Sequence, residues 1–523
     1  MNLRRDEALS SLPRLIHAGL NGLAALAVMV LALGLGASAD GAELRAGVAK
    51  VDITDRESKP VNDPLYVKAL VLKDERATAA LITVDVVAIA RIGRIGDGFL
   101  GNVRLRLERE LGIPPRNVVV NASHCHGAVC ADVESRTVQA VKEALGQMTP
   151  VRAGAGRGYE DRIMENRRLQ LKDGSEADVR HAYALPPDET VAAVAPIDPD
   201  IGLLRLDRTD GRPLAVVYNF ACHPIQGVPS GGNTADYPGF ASRVLEENLG
   251  HGAMALFVQG CGGDINPVRY KDVHNPRDAE TLGNMLGLSA LRAARNIETK
   301  ENAELRLVHE VVELPRANDH EKRIAALQAE QTRLLRSLRG TSLNFKNFVF
   351  LLWKYKASGE FPSHDAHRYL HEQALGREDL KRLDAENRAN LEAYLRNIHV
   401  MEQLTRLNTN LDLLKMHQAE NAAAGKPTIE AEVVGLRVGD FVLVTFPGEL
   451  SVEIGLGIKK RAPAPFTFVA GCTNGYLYYA PTEKQRNNPG FAQEDCDCLL
   501  APNWQGLFDE KVDAILQRLQ AAR

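Results

Sequence analysis

Short apolar runs recur along residues 44–315, and each run is bounded by Gly, Pro or Asn. They include residues 79–85, 117–122, 214–220 and 253–258. Runs of about four to eight apolar residues are typical of β-strands that are buried on both faces. An amphipathic helical segment, residues 103–111, lies between two of them. Because strands alternate with helices, the sequence predicts an α/β fold with a sheet core.

Residues 317–424 interrupt this pattern. The stretch is rich in Leu, Glu, Gln, Arg and Lys, and leucines together with Ile398 recur from Leu380 to Leu411 at steps of three or four residues or multiples of them. That period is typical of amphipathic helices, and the Gly-Lys-Pro sequence at 425–427 is a common helix end. We therefore predict an inserted helical hairpin or small helical subdomain. The α/β pattern returns over residues 425–523.

A dense apolar cluster, residues 345–353, lies inside the predicted insert. We expect this cluster to pack the hairpin onto the main body of the protein. The alternative is a lid, or a contact with a membrane surface that carries a lipid substrate.

The N-terminal segment has the features of an export signal. Arg4, Arg5 and Arg14 precede an apolar run at residues 20–36, which Ala-Ser-Ala follows at 37–39. A basic start, an apolar run and an A-x-A site predict a signal peptide over residues 1–39, cleaved after Ala39. The protein is then exported, either to the periplasm or as a secreted protein. The alternative is an uncleaved N-terminal anchor, for which the apolar run is near the lower length limit of a membrane span.

Charge and cysteine content restrict the partners. Lys and Arg number 63 and Asp and Glu number 67, which gives a formal charge of −4. Without a basic excess, we expect no nucleic-acid partner. No protein partner is implied. The seven cysteines are an odd number, so at least one is free or paired between chains.

Histidines follow two of the apolar runs. His124 and His126 come just after residues 117–122, and His223 comes just after residues 214–220. Histidine is the commonest metal ligand and the side chain that most readily moves protons near neutral pH, so one of the first pair is expected to bind metal while the other faces substrate. The alternative for each motif is a structural polar residue at a strand end. The second strand-end histidine favours a metal centre.

A glycine-rich turn follows the run at 253–258. Residues 259–267 carry Cys261, Asp264 and Asn266 among three glycines. Such a turn can present backbone N–H groups to an oxyanion, or it can simply be held by local hydrogen bonds. Cys261 is a candidate nucleophile, although nothing in its local sequence indicates a lowered pKa.

Taken together and in this order, the motifs resemble those of the neutral (non-lysosomal) ceramidase family. The matching stretches are residues 47–54, 123–127, 166–167, 221–224, 236–239, 263–267, 447–449 and 474–479. The resemblance implies a mixed-sheet catalytic domain in two parts, residues 40–316 and 425–523, separated by the helical insert.

The resemblance also implies a catalytic zinc site with an open position for water or substrate. The implied Zn²⁺ ligands are His124, His223, Glu449 and Tyr479. The implied catalytic residues are His126, Arg167 and Asn266. The residues that we assign to substrate binding are Asp264 and Tyr476.

The implied function is that of an exported zinc amidohydrolase of sphingolipid metabolism, acting on the N-acyl bond of ceramide or of a related N-acyl lipid. Asn266 stands where the family has a serine, and an Asn amide can replace a serine that stabilises an oxyanion but not one that acts as a nucleophile. The residues around His124 and His126 also differ from the family motif, so the substrate edge of the site is altered. Two alternatives remain open at this point. One is a non-catalytic metal-binding or ligand-binding member of the same fold, and the other is a hydrolase that depends on Cys261.

Overall fold

The computed structural model describes residues 43–180, 185–270, 274, 276–356, 366–489 and 492–521. The predicted signal peptide, and the alternative of an uncleaved anchor, lie outside these residues. In the part of the chain that is described, no helix combines the length and the apolar character needed to cross a bilayer.

Strands form the centre of the fold. In chain order they are β1 (Arg45–Asp52), β2 (Tyr66–Lys73), β3 (Thr78–Val84), β4 (Val118–Ala122), β5 (Thr149–Tyr159), β6 (Met164–Asn166), β7 (Arg168–Leu171), β8 (Glu176–Asp178), β9 (Val191–Val194), β10 (Asp200–Arg208), β11 (Pro213–Phe220), β12 (Met254–Gln259), β13 (Ile265–Pro267), β14 (Leu305–Pro315), β15 (Thr428–Val438), β16 (Phe441–Thr445), β17 (Glu449–Leu450), β18 (Phe466–Ala470) and β19 (Tyr479–Ala480).

Helices surround the strands. They are α1 (Phe99–Leu111), α2 (Val133–Gly146), α3 (Asp236–Leu249), α4 (Ala279–Arg295), α5 (His320–Ser337), α6 (Phe345–Lys356), α7 (Ala366–Ala374), α8 (Asp379–Ala424), α9 (Val452–Arg461), α10 (Glu483–Arg486), α11 (Gln493–Cys496) and α12 (Trp504–Gln520).

The larger sheet has eight strands in the order β12-β11-β10-β5-β1-β2-β3-β4. The pairs β3–β4 and β11–β12 are parallel, and the other neighbours are antiparallel. Alternate residues of a strand point to opposite faces. In β2, Val67, Ala69 and Val71 join a core cluster with α1 and α2, whereas Leu70 and Leu72 join a different cluster. Both faces are therefore buried, as the continuous apolar runs predict.

The second sheet covers the face that carries Leu70 and Leu72. Its strand order is β14-β15-β16-β18, with β16 and β18 parallel. Phe441 and Phe468 share the core cluster of those two leucines, and their rings stack 5.6 Å apart. The C-terminal helix α12 packs on the outer side of this sheet, where Ile515 and Leu519 belong to the same cluster as β15 residues.

The insert consists of α5 to α8, and it leaves and re-enters the fold through two paired strands. Pro315 at the end of β14 lies opposite Thr428 at the start of β15. The long helix α8 packs along α5, and Leu327 of α5 shares a small core cluster with Leu411 and Leu414 of α8. The prediction of a mixed α/β fold with an inserted helical subdomain is confirmed.

The apolar cluster at 345–353 corrects one expectation. It forms much of helix α6, and Phe348 is buried by stacking on Tyr394 of α8 at 4.5 Å. Phe345, Phe350 and Trp353 are instead exposed. The cluster therefore holds α6 to another part of the insert and does not pack the hairpin onto the main body, because only one side of a short helix can face its support.

The contact between the two sheets gives a stability prediction. A Cβ atom on Gly202 of β10 would lie 2.4 Å from Cδ1 of Phe468. That ring is held by Phe441, so we expect Gly202→Ala to lower the free energy of unfolding by about 1–3 kcal/mol through overpacking. Urea unfolding followed by circular dichroism measures the change.

Gly101→Ala in α1 is the matched control, because nothing lies within 4 Å of the added Cβ. Alanine is also the better helix former, so this variant should be neutral or slightly stabilised. Equal stabilities for the two variants would contradict close packing of the sheets at Gly202.

Candidate metal centre

A buried amide joins three strand ends at the site. Asn121, the penultimate residue of β4, is fully buried. Its Oδ1 accepts the backbone N–H of Gln259 at 3.0 Å, at the end of β12. Its Nδ2 donates to the carbonyl of Gly471 at 2.8 Å and to Thr473 Oγ1 at 2.9 Å, just beyond β18. The polar residues that follow these strands are thereby brought to one place.

His124 is the first of the converging residues. Its φ angle is +68°, in the left-handed region that residues with a Cβ rarely adopt, and such strain is typical of functional sites. Its backbone N–H donates to the carbonyl of Val86, and its Nδ1 lies 2.6 Å from the carbonyl of Val87. These contacts turn the Nε2 atom inward.

His223 follows β11 and is held in the same manner. Its Nδ1 lies 2.9 Å from the carbonyl of Ile265, which leaves Nε2 to face the site. The imidazole is buried, and burial together with the charge of Arg167 lowers its pKa to about 4. A neutral imidazole at neutral pH is the form that binds a metal ion.

Glu449 completes the group from β17. Its Oε2 lies 2.8 Å from Nε2 of His223 and 3.4 Å from Nε2 of His124. Tyr476 donates its hydroxyl to Oε1 at 2.5 Å. Burial alone would raise the pKa of this carboxyl, but the two imidazoles outweigh it and hold the pKa well below its usual value. Glu449 is therefore a carboxylate.

The donor atoms of these three residues fit a metal ion. One ligand atom from each of His124, His223 and Glu449 lies within 4.8 Å of the others, and all three side chains are buried. Each imidazole is oriented by a carbonyl on its other nitrogen, which is the usual support of a metal-binding histidine. The group could hold a metal ion with at least one position left for another ligand.

Tyr479 stands beside this group. It lies directly opposite Glu449 in the short parallel pair of β17 and β19. Its hydroxyl is 3.4 Å from Nε2 of His223 and accepts a hydrogen bond from Nη2 of Arg167 at 3.3 Å. Burial raises the pKa of the phenol, although the guanidinium of Arg180 opposes that effect from 4.6 Å above the ring. The hydroxyl is thus close to the imidazole of His223 and is protonated.

Arg167 and Asn266 lie together next to Tyr479. Arg167 is almost fully buried, and its Nε forms an ion pair with Glu494 at 2.7 Å. Its Nη1 donates to Oδ1 of Asn266 at 3.1 Å. Asn266 reaches this position because β13 pairs with β6, the strand that directly precedes Arg167.

The two residues that we assign to substrate binding make contacts within the protein. Asp264 is fully buried, and its oxygens accept from the N–H of Val452 at 2.8 Å and from Asn166 at 3.3 Å. Tyr476 is also buried, and its hydroxyl supports Glu449. In this structure Asp264 therefore holds neighbouring segments of the site together, and Tyr476 supports Glu449.

His126 is directed towards a cleft. Its ring is nearly perpendicular to that of His124, with the centroids 5.9 Å apart. The side chain is exposed on the cleft side, and partial desolvation by its surroundings together with the neighbouring His124 lowers its pKa to about 4. The cleft has a volume of about 520 Å³ and is also lined by Lys59, Ile225, Val228, Tyr270 and Arg277. Apolar and basic side chains thus face the same space beside the candidate metal centre.

Sequence reasoning missed an acidic segment behind the site. Glu494 pairs with Arg167, Asp495 pairs with Arg168 at 2.7 Å, and Asp497 pairs with Arg180 at 3.3 Å. The only sequence feature that could have indicated these ion pairs is the acidic Glu-Asp-Cys-Asp stretch at 494–497. Nothing local connects it to arginines more than 300 positions earlier.

The cysteines do not form a reactive site. All seven, each within the described residues, are free thiols. Cys261 is buried in the core cluster that contains Leu450 and Ile454, and burial raises its pKa. Its thiol therefore lacks both the exposure and the charge that a nucleophile needs.

A labelling experiment tests this conclusion. In the folded protein at pH 8, brief treatment with iodoacetamide should leave Cys261 unmodified, since the thiolate is the reactive form. Even the half-buried Cys130, whose pKa burial and Asp132 raise to about 11, should react slowly. Peptide mass spectrometry measures each site, and the same treatment in urea is the control. Rapid alkylation of native Cys261 would return the cysteine hydrolase to consideration.

Comparisons with known proteins agree with this architecture. No protein-family model matches the chain, and no curated protein matches it by sequence. The solved structures that share its fold include the following two. The crystal structure of neutral ceramidase from Pseudomonas aeruginosa is 15% identical, covers 92% of this chain and 76% of its own, and has a TM-score of 0.56. A structure of ceramidase complexed with C2 is 16% identical, covers 92% and 75%, and has a TM-score of 0.55. The chain therefore has a neutral ceramidase-like fold, as the motif resemblance predicts.

Proposed function

We propose that this protein is an exported, zinc-dependent amidohydrolase that cleaves the N-acyl bond of ceramide or of a related N-acyl lipid. The observation that carries the proposal is the buried convergence of His124, His223 and Glu449 at strand ends. Two solved structures that share the fold are ceramidases. The proposal extends that likeness from fold to chemistry.

The residues present favour zinc as the ion. Two imidazoles and one carboxylate are the donor set found at many catalytic zinc sites, and the hydroxyl of Tyr479 is near enough to join them. When bound, zinc polarises an amide carbonyl and makes a water molecule a better nucleophile. Tyr476 and the two backbone carbonyls orient the protein ligands.

Asn266 and Arg167 are positioned to stabilise the carbonyl oxygen as charge develops on it. Oδ1 of Asn266 accepts from Arg167, and within the described residues its Nδ2 makes no hydrogen bond to protein. That amide can donate to an oxyanion, the role for which a serine hydroxyl would also serve. Arg167 keeps Asn266 in place and contributes positive charge.

His126 is the candidate proton carrier. Hydrolysis forms a bond from water oxygen to the acyl carbon and breaks the carbon–nitrogen bond, so the departing amine must receive a proton. The His126 imidazole borders both His124 and the cleft, where that nitrogen would lie. A neutral imidazole can accept a proton from water and pass it to the amine.

The lining of the cleft supports an amphipathic substrate. Ile225 and Val228 offer apolar contacts, whereas Lys59, Arg277 and Tyr270 offer polar ones. A molecule with an acyl chain and a polar head uses both kinds of contact. A substrate panel should therefore include ceramides and N-acyl lipids with anionic head groups.

The non-catalytic alternative depends on Asn266 standing where the ceramidase motif has serine. A protein that is folded and loaded with zinc, yet inert towards the whole amide panel, would favour that alternative over the hydrolase.

The first functional prediction concerns His223. We expect roughly one zinc per chain in the wild type and a small fraction of that in His223→Ala, because the loss of one ligand from a three- or four-residue site weakens binding strongly. Activity should fall with metal content. Elemental mass spectrometry and hydrolysis of the N-acyl panel measure the two quantities.

His371→Ala is the control, since His371 is exposed on α7. It should keep both zinc and activity. Full zinc content in a folded His223→Ala variant would remove His223 from the ligand set.

The second functional prediction concerns Asn266. Asn266→Ala should lower kcat by about 10²–10³-fold at unchanged zinc content, because one donor to the oxyanion is lost. Asn266→Ser should recover part of that loss through its hydroxyl. Wild-type kcat in Asn266→Ala would exclude a catalytic role for this side chain.

A further inference from the structure

Helix α6 exposes four large apolar side chains. The exposed fractions are 68% for Phe345, 47% for Val349, 66% for Phe350 and 76% for Trp353. Such residues are normally buried, and a contiguous exposed group of them marks an interaction surface.

These side chains lie on one face of the helix. Their spacing of i, i+4, i+5 and i+8 places them within about 140° of arc at 100° per residue. Phe348 lies on the opposite side, where it is 5% exposed and stacks on Tyr394. Leu351 and Leu352 are half-buried on that same side. The helix is therefore fixed to α8 by one face, and its other face, called here the aromatic face, is turned to solvent.

The charge of α6 is uniformly positive. Its twelve residues contain Lys346, Lys354 and Lys356 and no Asp or Glu. A short helix that carries Trp, Phe and Lys, with no acid, has the composition of helices that lie in the interface of anionic bilayers. At this length it cannot span a bilayer.

We propose that the aromatic face of α6 docks this protein on the surface of an anionic lipid bilayer. Phe345, Phe350 and Trp353 enter the boundary between head groups and acyl chains, and the exposed Lys346, which lies on the same face, contacts anionic head groups. This inference goes beyond the proposed function, because it needs neither the metal nor the cleft.

Charge argues against a second copy of this chain as the occupant. A symmetric dimer through this face would bring two identical helices together. Each would carry three lysines and no carboxylate, so the pairing would oppose like charges. An anionic bilayer supplies the opposite charge.

Tryptophan fluorescence offers a direct measurement. The chain has two tryptophans, Trp353 and the fully buried Trp504. A change in emission on adding lipid vesicles therefore reports on Trp353. With phosphatidylglycerol/phosphatidylcholine vesicles we expect a blue shift and co-flotation, both reduced at high salt. With pure phosphatidylcholine vesicles binding should be much weaker.

The Phe345→Ser/Phe350→Ser double variant should bind the anionic vesicles at least about ten-fold more weakly. Leu105→Ser is the matched control, since Leu105 is 57% exposed on α1. It should bind as the wild type does. Circular dichroism and zinc content, which the surface changes should not alter, check folding.

Three results would overturn the proposal. The first is an unchanged Trp353 emission with anionic vesicles, and the second is wild-type flotation of the double variant. The third is a lipid-free dimer, seen by analytical ultracentrifugation, that the double serine change dissociates, since a second copy would then occupy the face. None of these results bears on hydrolysis, which is measured with soluble substrate.

Discussion

The arrangement of the site depends on the buried amide of Asn121. A buried amide is costly unless its hydrogen-bonding groups are used, and here both its oxygen and its nitrogen are bonded. Its bonds to Gln259, Gly471 and Thr473 tie the ends of β4, β12 and β18 together. His124 follows Asn121 by three residues, and its side chain therefore lies close to the ends of β12 and β18. Segments that follow strands of the large sheet and of the second sheet thereby bring candidate metal ligands to one point.

Buried ion pairs hold together the side chains that lie behind the candidate metal site. Arg167 and Arg168 are buried, and each faces a carboxylate of the segment at 494–497. Removing one partner of such a pair leaves an uncompensated charge, which is more destabilising than never burying the pair. The position of Arg167, and with it that of Asn266, is therefore coupled to the folding of the C-terminal segment. The catalytic groups that we propose have little freedom to move independently.

Short-range sequence patterns were sufficient to predict several strands and the positions of two site histidines. Apolar runs predicted β3, β4, β11 and β12 to within about two residues, and strand ends indicated where His124 and His223 would lie. The contacts of Asn121 and of residues 494–497 could not be predicted, because their partners are over 100 or over 300 positions away. The apolar run at 345–353 shows another limit. Hydrophobicity predicted burial, but it did not indicate that α8 would cover only one side of α6.

Within the insert, the long helix α8 connects the exposed helix α6 to the candidate site. Tyr394, which supports α6, and His417 lie 23 residues apart in α8, or about 35 Å along a helix. His417 is buried and contacts Asp497 at 2.9 Å, and Asp497 in turn pairs with Arg180 above the ring of Tyr479. A lid would need to cover the cleft and leave it again, whereas this helix is anchored by His417 to the buried ion pairs behind the candidate metal ligands. The structure is better suited to holding the site at a fixed distance from a surface than to closing over it.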